Sequence, residues 1–210
     1  MTDSNIVSPE LAAIEVHGIS RASFILRGAM TAGALYGATA VGPYVGSALA
    51  ASGGGDLEIL NFALTLEYLE TDFYEHKAKM VNLGGEAKSL AALIAGHEQQ
   101  HVDALIKAIQ GAGGTPVKQP TFVFPVTDQA SFLKLAYVLE NTGVGAYNGA
   151  GPALSNPAYL AAAGSIVQVE ARHAAAIGLL TGQPVTPDRG FDKPLTKAQV
   201  LAKAGPLIKA

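Results

Sequence analysis

Cysteine is absent from this chain of 210 residues. Its absence excludes thiolate zinc sites, iron–sulfur clusters, disulfides and a cysteine nucleophile. It leaves the compartment open, since a chain without thiols suits oxidising and reducing surroundings alike. Charge is scarce as well. Asp, Glu, Lys and Arg together make up 15% of the residues, the formal net charge is -3, and no basic stretch follows the first residues. Nucleic acid is therefore not an expected partner. Hydrophobic residues reach 49%, which excludes a disordered chain and can fill the core of one domain, with or without an extension. No stretch alternates convincingly between apolar and polar residues, so the fold class expected is all-α.

The first quarter differs from the rest. No charged residue occurs from Gly28 to Gly55, a stretch rich in Ala and Gly that contains Pro43. Arg27, the weakly apolar run behind it and the small-x-small ending Ala48-Leu49-Ala50 read as a secretory signal with its cleavage site. Ser20-Arg21-Ala22-Ser23-Phe24-Ile25 is similar to the twin-arginine export motif, with Ala22 where the second arginine belongs. Two readings of residues 1–55 follow. One is a degenerate export signal that sends the protein to the periplasm or cell envelope. The other is a helical arm packed on the bundle or on a neighbouring subunit, in a cytoplasmic protein. A stable membrane span is not expected, because the glycines, Pro43 and alanines contribute little transfer energy.

The remaining chain reads as four helices. From Asp56 to about Asn82, Leu60, Ala63, Leu64, Glu67, Thr71, Tyr74 and Ala78 recur at spacings of three and four and share one face. Gly84-Gly85 stops this helix. From Glu86 to about Gln110 the shared face holds Leu90, Ile94, Glu98, His101, Leu105 and Ala108. The Gly- and Pro-rich stretch from Gly111 to Pro125 cannot be regular and suits a long crossover between two helical hairpins. Asp128 can cap a third helix whose inner face carries Leu133, Ala136, Glu140, Val144 and Tyr147. Gly143, Gly145 and Gly149 weaken it. Asn156-Pro157 opens the fourth helix, which stops at Gly182 and turns Ala163, Val167, Glu170, His173, Ile177 and Leu180 inward. The bundle thus covers residues 56–182, and a tail from 183 to 210 carries a short helical piece from Lys197 to about Lys203.

The two halves repeat each other. Glu67 and Tyr74 recur as Glu140 and Tyr147, an offset of 73 in both cases; Glu98 and His101 recur as Glu170 and His173, an offset of 72. A Glu and a His three residues apart project from one helical face. Two such pairs, with one Glu from each remaining helix, form the ligand set of di-iron and di-manganese carboxylate proteins. Four carboxylates balance the charge of two divalent cations. Without cations, four buried carboxylates would be costly.

Asn61-Phe62-Ala63-Leu64-Thr65-Leu66-Glu67-Tyr68, the two Glu-x-x-His pairs and Glu170-Ala171-Arg172-His173-Ala174 resemble the ferritin-like domain family. The likeness is greatest to its bacterial branch related to plant desiccation proteins, and it covers about residues 56–205, including Phe191-Asp192-Lys193-Pro194-Leu195. Members of that branch often carry an export signal. The resemblance implies a ferritin-like four-helix bundle with two iron or manganese ions between its helices. It also implies an oxidoreductase of the ferroxidase or catalase kind, with oxygen or peroxide as its small-molecule substrate. A monomer or dimer is expected.

Two rivals stand beside this reading. One is a stress-protection or structural bundle without turnover, its core acids and histidines serving as salt bridges. The other is a zinc metalloprotease, since His97-Glu98-Gln99-Gln100-His101 matches HExxH, with Glu140 as a third ligand. Against the protease, Val169 stands where His97 would repeat, and outside that reading His97 supports a ligand from behind or is exposed. Tyr74 and Tyr147 either hydrogen-bond a ligand or shelter the site, or else pack in the core with a satisfied hydroxyl. Glu70, three residues beyond Glu67, is an alternative ligand in its place, but its mostly polar neighbours favour the surface, where Asp72, Glu75 and His76 are also expected. Gly143 and Gly145 either leave room for a small oxidant or permit close helix contact.

Overall fold

The computed structural model describes residues 55–209; the signal-like segment, with its twin-arginine-like motif and cleavage site, lies outside them. The described residues are helical. Helix α1 (Asp56–Asp72) runs into a π-helical turn at Phe73–Lys77 and a short α2 (Ala78–Met80), together one rod. Helices α3 (Gly85–Gly111), α4 (Gln129–Ala150) and α5 (Pro157–Thr181) are the other three rods. The rod of α1 pairs with α3 and α4 pairs with α5, and the two hairpins pack through α1 on α4 and α3 on α5. Residues 112–128 cross between the hairpins. None of the described helices is long and apolar enough to cross a membrane.

Local signals set the helix ends. Asp56 and Glu58 place negative charge in the first turn of α1, where the helix dipole favours it. Asp128 and Ser131 form a reciprocal capping box at α4, the Ser131 amide donating to Asp128 Oδ1 at 2.8 Å. Asn156 caps α5 through the Ala158 amide, Pro157 takes the first position, and Gly182 ends the helix at φ 70°. That left-handed value favours glycine.

All of the positions expected on the inner faces are buried or half-buried, which confirms the four stripes. The mostly aliphatic core holds an aromatic cluster: Phe73 stacks on Phe132 with centroids 4.3 Å apart, and Phe124 meets Phe73 edge-on. Each fully buried phenylalanine contributes about 1.5–3 kcal/mol of transfer energy. Phe124 comes from the crossover, which is therefore part of the core.

The tail packs on α4. Helix α6 (Lys197–Ala204) buries Val200 and Ala204 against it. Upstream, the Leu195 amide donates to the Gly145 carbonyl at 2.8 Å. A Cβ at Gly145 would lie 2.6 Å from the Leu195 side chain, and one at Gly149 would lie 2.0 Å from the Leu195 carbonyl oxygen. Two of the three glycines that weaken α4 intrinsically, Gly145 and Gly149, are the surface over which the tail passes. Close approach decides the question at Gly145, by contact with the tail rather than with a helix. One small feature departs from the all-helical expectation: Thr121–Phe122 (β1) pairs antiparallel with Ile208–Lys209 (β2). Two residues on each side are too few to show an alternating pattern in the sequence.

Candidate metal centre

Each of the four rods delivers one carboxylate to the middle of the bundle. Glu67 (α1), Glu98 (α3), Glu140 (α4) and Glu170 (α5) are all 0% exposed, and His101 and His173 lie one helical turn beyond Glu98 and Glu170, also buried. The six side chains form two overlapping groups, Glu67, Glu98, His101 and Glu170, and Glu98, Glu140, Glu170 and His173. Glu98 and Glu170 belong to both. All six residues chosen from the repeat thus meet at one place.

His101 Nδ1 lies 3.2 Å from Glu67 Oε2, 3.0 Å from Glu98 Oε2 and 3.0 Å from Glu170 Oε1. His173 Nδ1 lies 3.0 Å from Glu98 Oε1, 3.2 Å from Glu140 Oε2 and 3.9 Å from Glu170 Oε2. One imidazole nitrogen has at most one proton and cannot satisfy three carboxylates. Accordingly Glu98 Oε1 and both Glu170 oxygens are buried without a hydrogen bond. Ligand atoms about 2.1 Å from one octahedral ion lie about 3.0 Å from one another, close to five of the six Nδ1–carboxylate distances. The donor set therefore fits divalent cations that prefer oxygen and imidazole nitrogen.

Charge without cations is handled by protonation. Burial opposes ionisation of Glu98, but the imidazoles of His101 and His173 outweigh it and hold its carboxyl down at about 2. Burial also opposes charging the imidazoles. Hydrogen bonding to neighbouring carboxylates prevails, and His101 is pushed up to about 10 and His173 to about 9. Burial, reinforced by Glu98, raises Glu67 to about 7 even though His101 pulls it down. Burial and repulsion from Glu98 push Glu170 well above the ordinary carboxylate range.

The tyrosines bridge the halves. The Tyr74 hydroxyl donates to Glu140 Oε1 and the Tyr147 hydroxyl to Glu67 Oε1, both at 2.5 Å. Each tyrosine thus holds a carboxylate from the other hairpin, about two turns from the Glu on its own helix. Tyr74 lies in the π-helical turn, an irregularity common at functional sites.

Glu70 is a correction. It is 3% exposed rather than on the surface, and burial and the charge of Glu140 push its carboxyl well above the ordinary range. Gly143, at the matching place in the second half, explains the room. A Cβ there would lie 3.4 Å from both Glu70 Oε1 and Glu170 Oε2. The polar neighbours Asp72, Glu75 and His76 concealed this, although the spacing of three from Glu67 was visible. His76 is exposed, as expected, and pairs with Asp72.

His97 does not join His101 on one ion, so the HExxH geometry of a zinc protease is not formed. Its Nδ1 faces His173 Nε2 at 2.9 Å, and neither group of potential ligands includes it.

Comparison with known proteins agrees with this architecture. The profile of the ferritin-like domain matches residues 55–183, more than half of the chain. A solved structure of a conserved hypothetical protein from Mycobacterium tuberculosis is similar in fold. Its TM-score is 0.55 at 20% identity, over 60% of this chain and 89% of that one. No curated protein sequence matches. By the extent of the profile match, with four helical rods around a shared acidic centre, this chain belongs to the ferritin-like domain family.

Proposed function

We propose that this protein is a dinuclear metalloprotein that binds two iron or manganese ions and acts as an oxidoreductase on oxygen or peroxide. Glu67 and His101 hold one position, Glu140 and His173 hold the other, and Glu98 and Glu170 are shared. The observation that carries this reading is the convergence of three carboxylates on each Nδ1, with the shared oxygens left unsatisfied. The bound ions would supply reversible one-electron redox chemistry.

The chain supplies orientation and exclusion of water. Tyr74 and Tyr147 fix the unshared carboxylates, leaving their other oxygens, Glu140 Oε2 and Glu67 Oε2, turned to the imidazoles. A cavity of about 50 Å³, lined by Leu60, Ala63, Ala108, Ala146 and Ala163, shares Tyr147 with this arrangement. An apolar cavity of about 150 Å³ holds benzene or xenon; the smaller one suits a guest of two heavy atoms, as dioxygen and peroxide both are.

Elemental analysis of protein purified without chelator tests the proposal, together with its optical spectrum after oxidation. Two iron or manganese ions per chain are expected, lost in the Glu98→Ala/Glu170→Ala variant. The ion pairs of His101 and His173 favour one rival, a bundle that needs no metal. A folded protein that takes up neither ion would establish that rival.

A further inference from the structure

The two halves of the site differ at Glu70, which faces Gly143, and behind one ligand. The residue before the shared acid is His97 in α3 and Val169 in α5. His97 is half-buried and reaches across to the other hairpin. Its Nδ1 lies 2.9 Å from His173 Nε2, and the rings stack with centroids 5.2 Å apart and 11° between their planes. His173 therefore has both nitrogens engaged: Nδ1 faces the carboxylates and Nε2 faces His97. The hydrogen bonds of His101 among the described residues run through Nδ1 alone. Valine at position 169 can neither accept nor donate there.

An imidazole that ligates through one nitrogen carries its proton on the other, and the partner of that proton sets tautomer and ring plane. With Nδ1 directed at the site, His173 Nε2–H donates to His97 Nδ1. We propose that His97 is a positioning residue that strengthens metal binding at the His173/Glu140 position only, so that the two positions are chemically unequal. This rests on the dinuclear reading above. It also gives the HExxH segment a role unlike the protease one: the first histidine holds a ligand of the opposite hairpin.

Groups behind a metal ligand typically contribute about 10–100-fold in affinity. Titration of metal-free protein with Mn²⁺, followed by calorimetry, resolves the two dissociation constants. In His97→Val, which copies the residue of the second half, one constant should weaken by about 10–100-fold while the other stays within about threefold. His97→Gln, whose amide oxygen can accept the Nε2–H, should restore most of the loss; a role in packing alone would show no such rescue. Thermal melting of each metal-free variant checks that it folds; His97→Ala replaces an unfolded His97→Val, and His97→Asn, also an acceptor, replaces an unfolded His97→Gln. The inference is overturned if both constants move together, if neither moves, or if glutamine fails to rescue. Wild-type protein that takes up neither Mn²⁺ nor Fe²⁺ overturns the dinuclear reading and this inference with it, a result distinct from two ions bound without regard to His97.

Discussion

Replacing Glu170 by glutamine separates the cost of the acidic centre from its use. In the metal-free protein burial and Glu98 raise Glu170 well above the ordinary carboxylate range, which favours its neutral form. Glutamine has nearly the same shape and charge. Glu170→Gln should therefore change metal-free stability by less than about 1 kcal/mol, within the spread of conservative replacements. The metal-loaded protein responds differently, because Glu170 is shared by both positions. Loss of a group behind a ligand costs about 10–100-fold in affinity, so loss of a shared ligand should cost about 100-fold or more. With free Mn²⁺ at about 100 times the wild-type dissociation constant, binding stabilises the wild type by about 2.7 kcal/mol. A 100-fold weaker variant gains only about 0.4 kcal/mol at the same concentration. For a domain of this size these gains, which are for each of the two ions, correspond to about 5–11 °C and about 1–2 °C in Tm per ion. The assay is thermal unfolding of both proteins with and without Mn²⁺. Equal Mn²⁺-dependent shifts would refute the shared-ligand assignment. A large loss of metal-free stability would refute the argument that Glu170 is neutral there.

Proton release should accompany metal loading. Ligation requires neutral imidazoles, whereas His101 and His173 stay protonated up to about 10 and about 9 in the metal-free protein. At pH 7 both protons must leave, so affinity should rise with pH until those values are passed and fall as pH drops. Calorimetry in two buffers of different ionisation heat counts the protons, and an affinity flat from about pH 6 to 9 would contradict the ion-paired state. Tyr74→Phe and Tyr147→Phe each strand a buried carboxylate oxygen. Each should cost about 1.5–3 kcal/mol in urea unfolding, with similar values for the two. Gly149→Ala should destabilise by about 1–3 kcal/mol or more, because its Cβ would meet the Leu195 carbonyl. Gly164→Ala, which meets nothing within 4 Å on α5, should stabilise by about 0.5–1 kcal/mol. Equal effects at the two glycines would argue against the tail's course over α4.

Much of the site was legible because a ligand pair is a local pattern. Glu98 and His101 share a face whatever surrounds their helix, and so do Glu170 and His173, since helical geometry alone puts residues three apart side by side. The matched offsets then added Glu67 and Glu140. The caps at Asp128 and Asn156 and the stop at Gly182 were legible for the same reason, each depending on neighbours within one turn.

Other features depend on which faces meet, and no spacing along one helix reports that. Tyr74 serves Glu140 across 66 residues, and Tyr147 serves Glu67 across 80. Glu70 is buried because the opposite helix carries glycine at 143, an absence that matters only once α1 and α4 are packed. His97 lies beside a ligand in sequence, yet it acts on the histidine of the other hairpin. The sequence by itself determined four helices and the acids and imidazoles on their inner faces, because periodicity is a property of the single helix. The tertiary structure alone decided which carboxylate each tyrosine holds, where the fifth acid goes and how the tail crosses α4, because contacts between rods are set by packing.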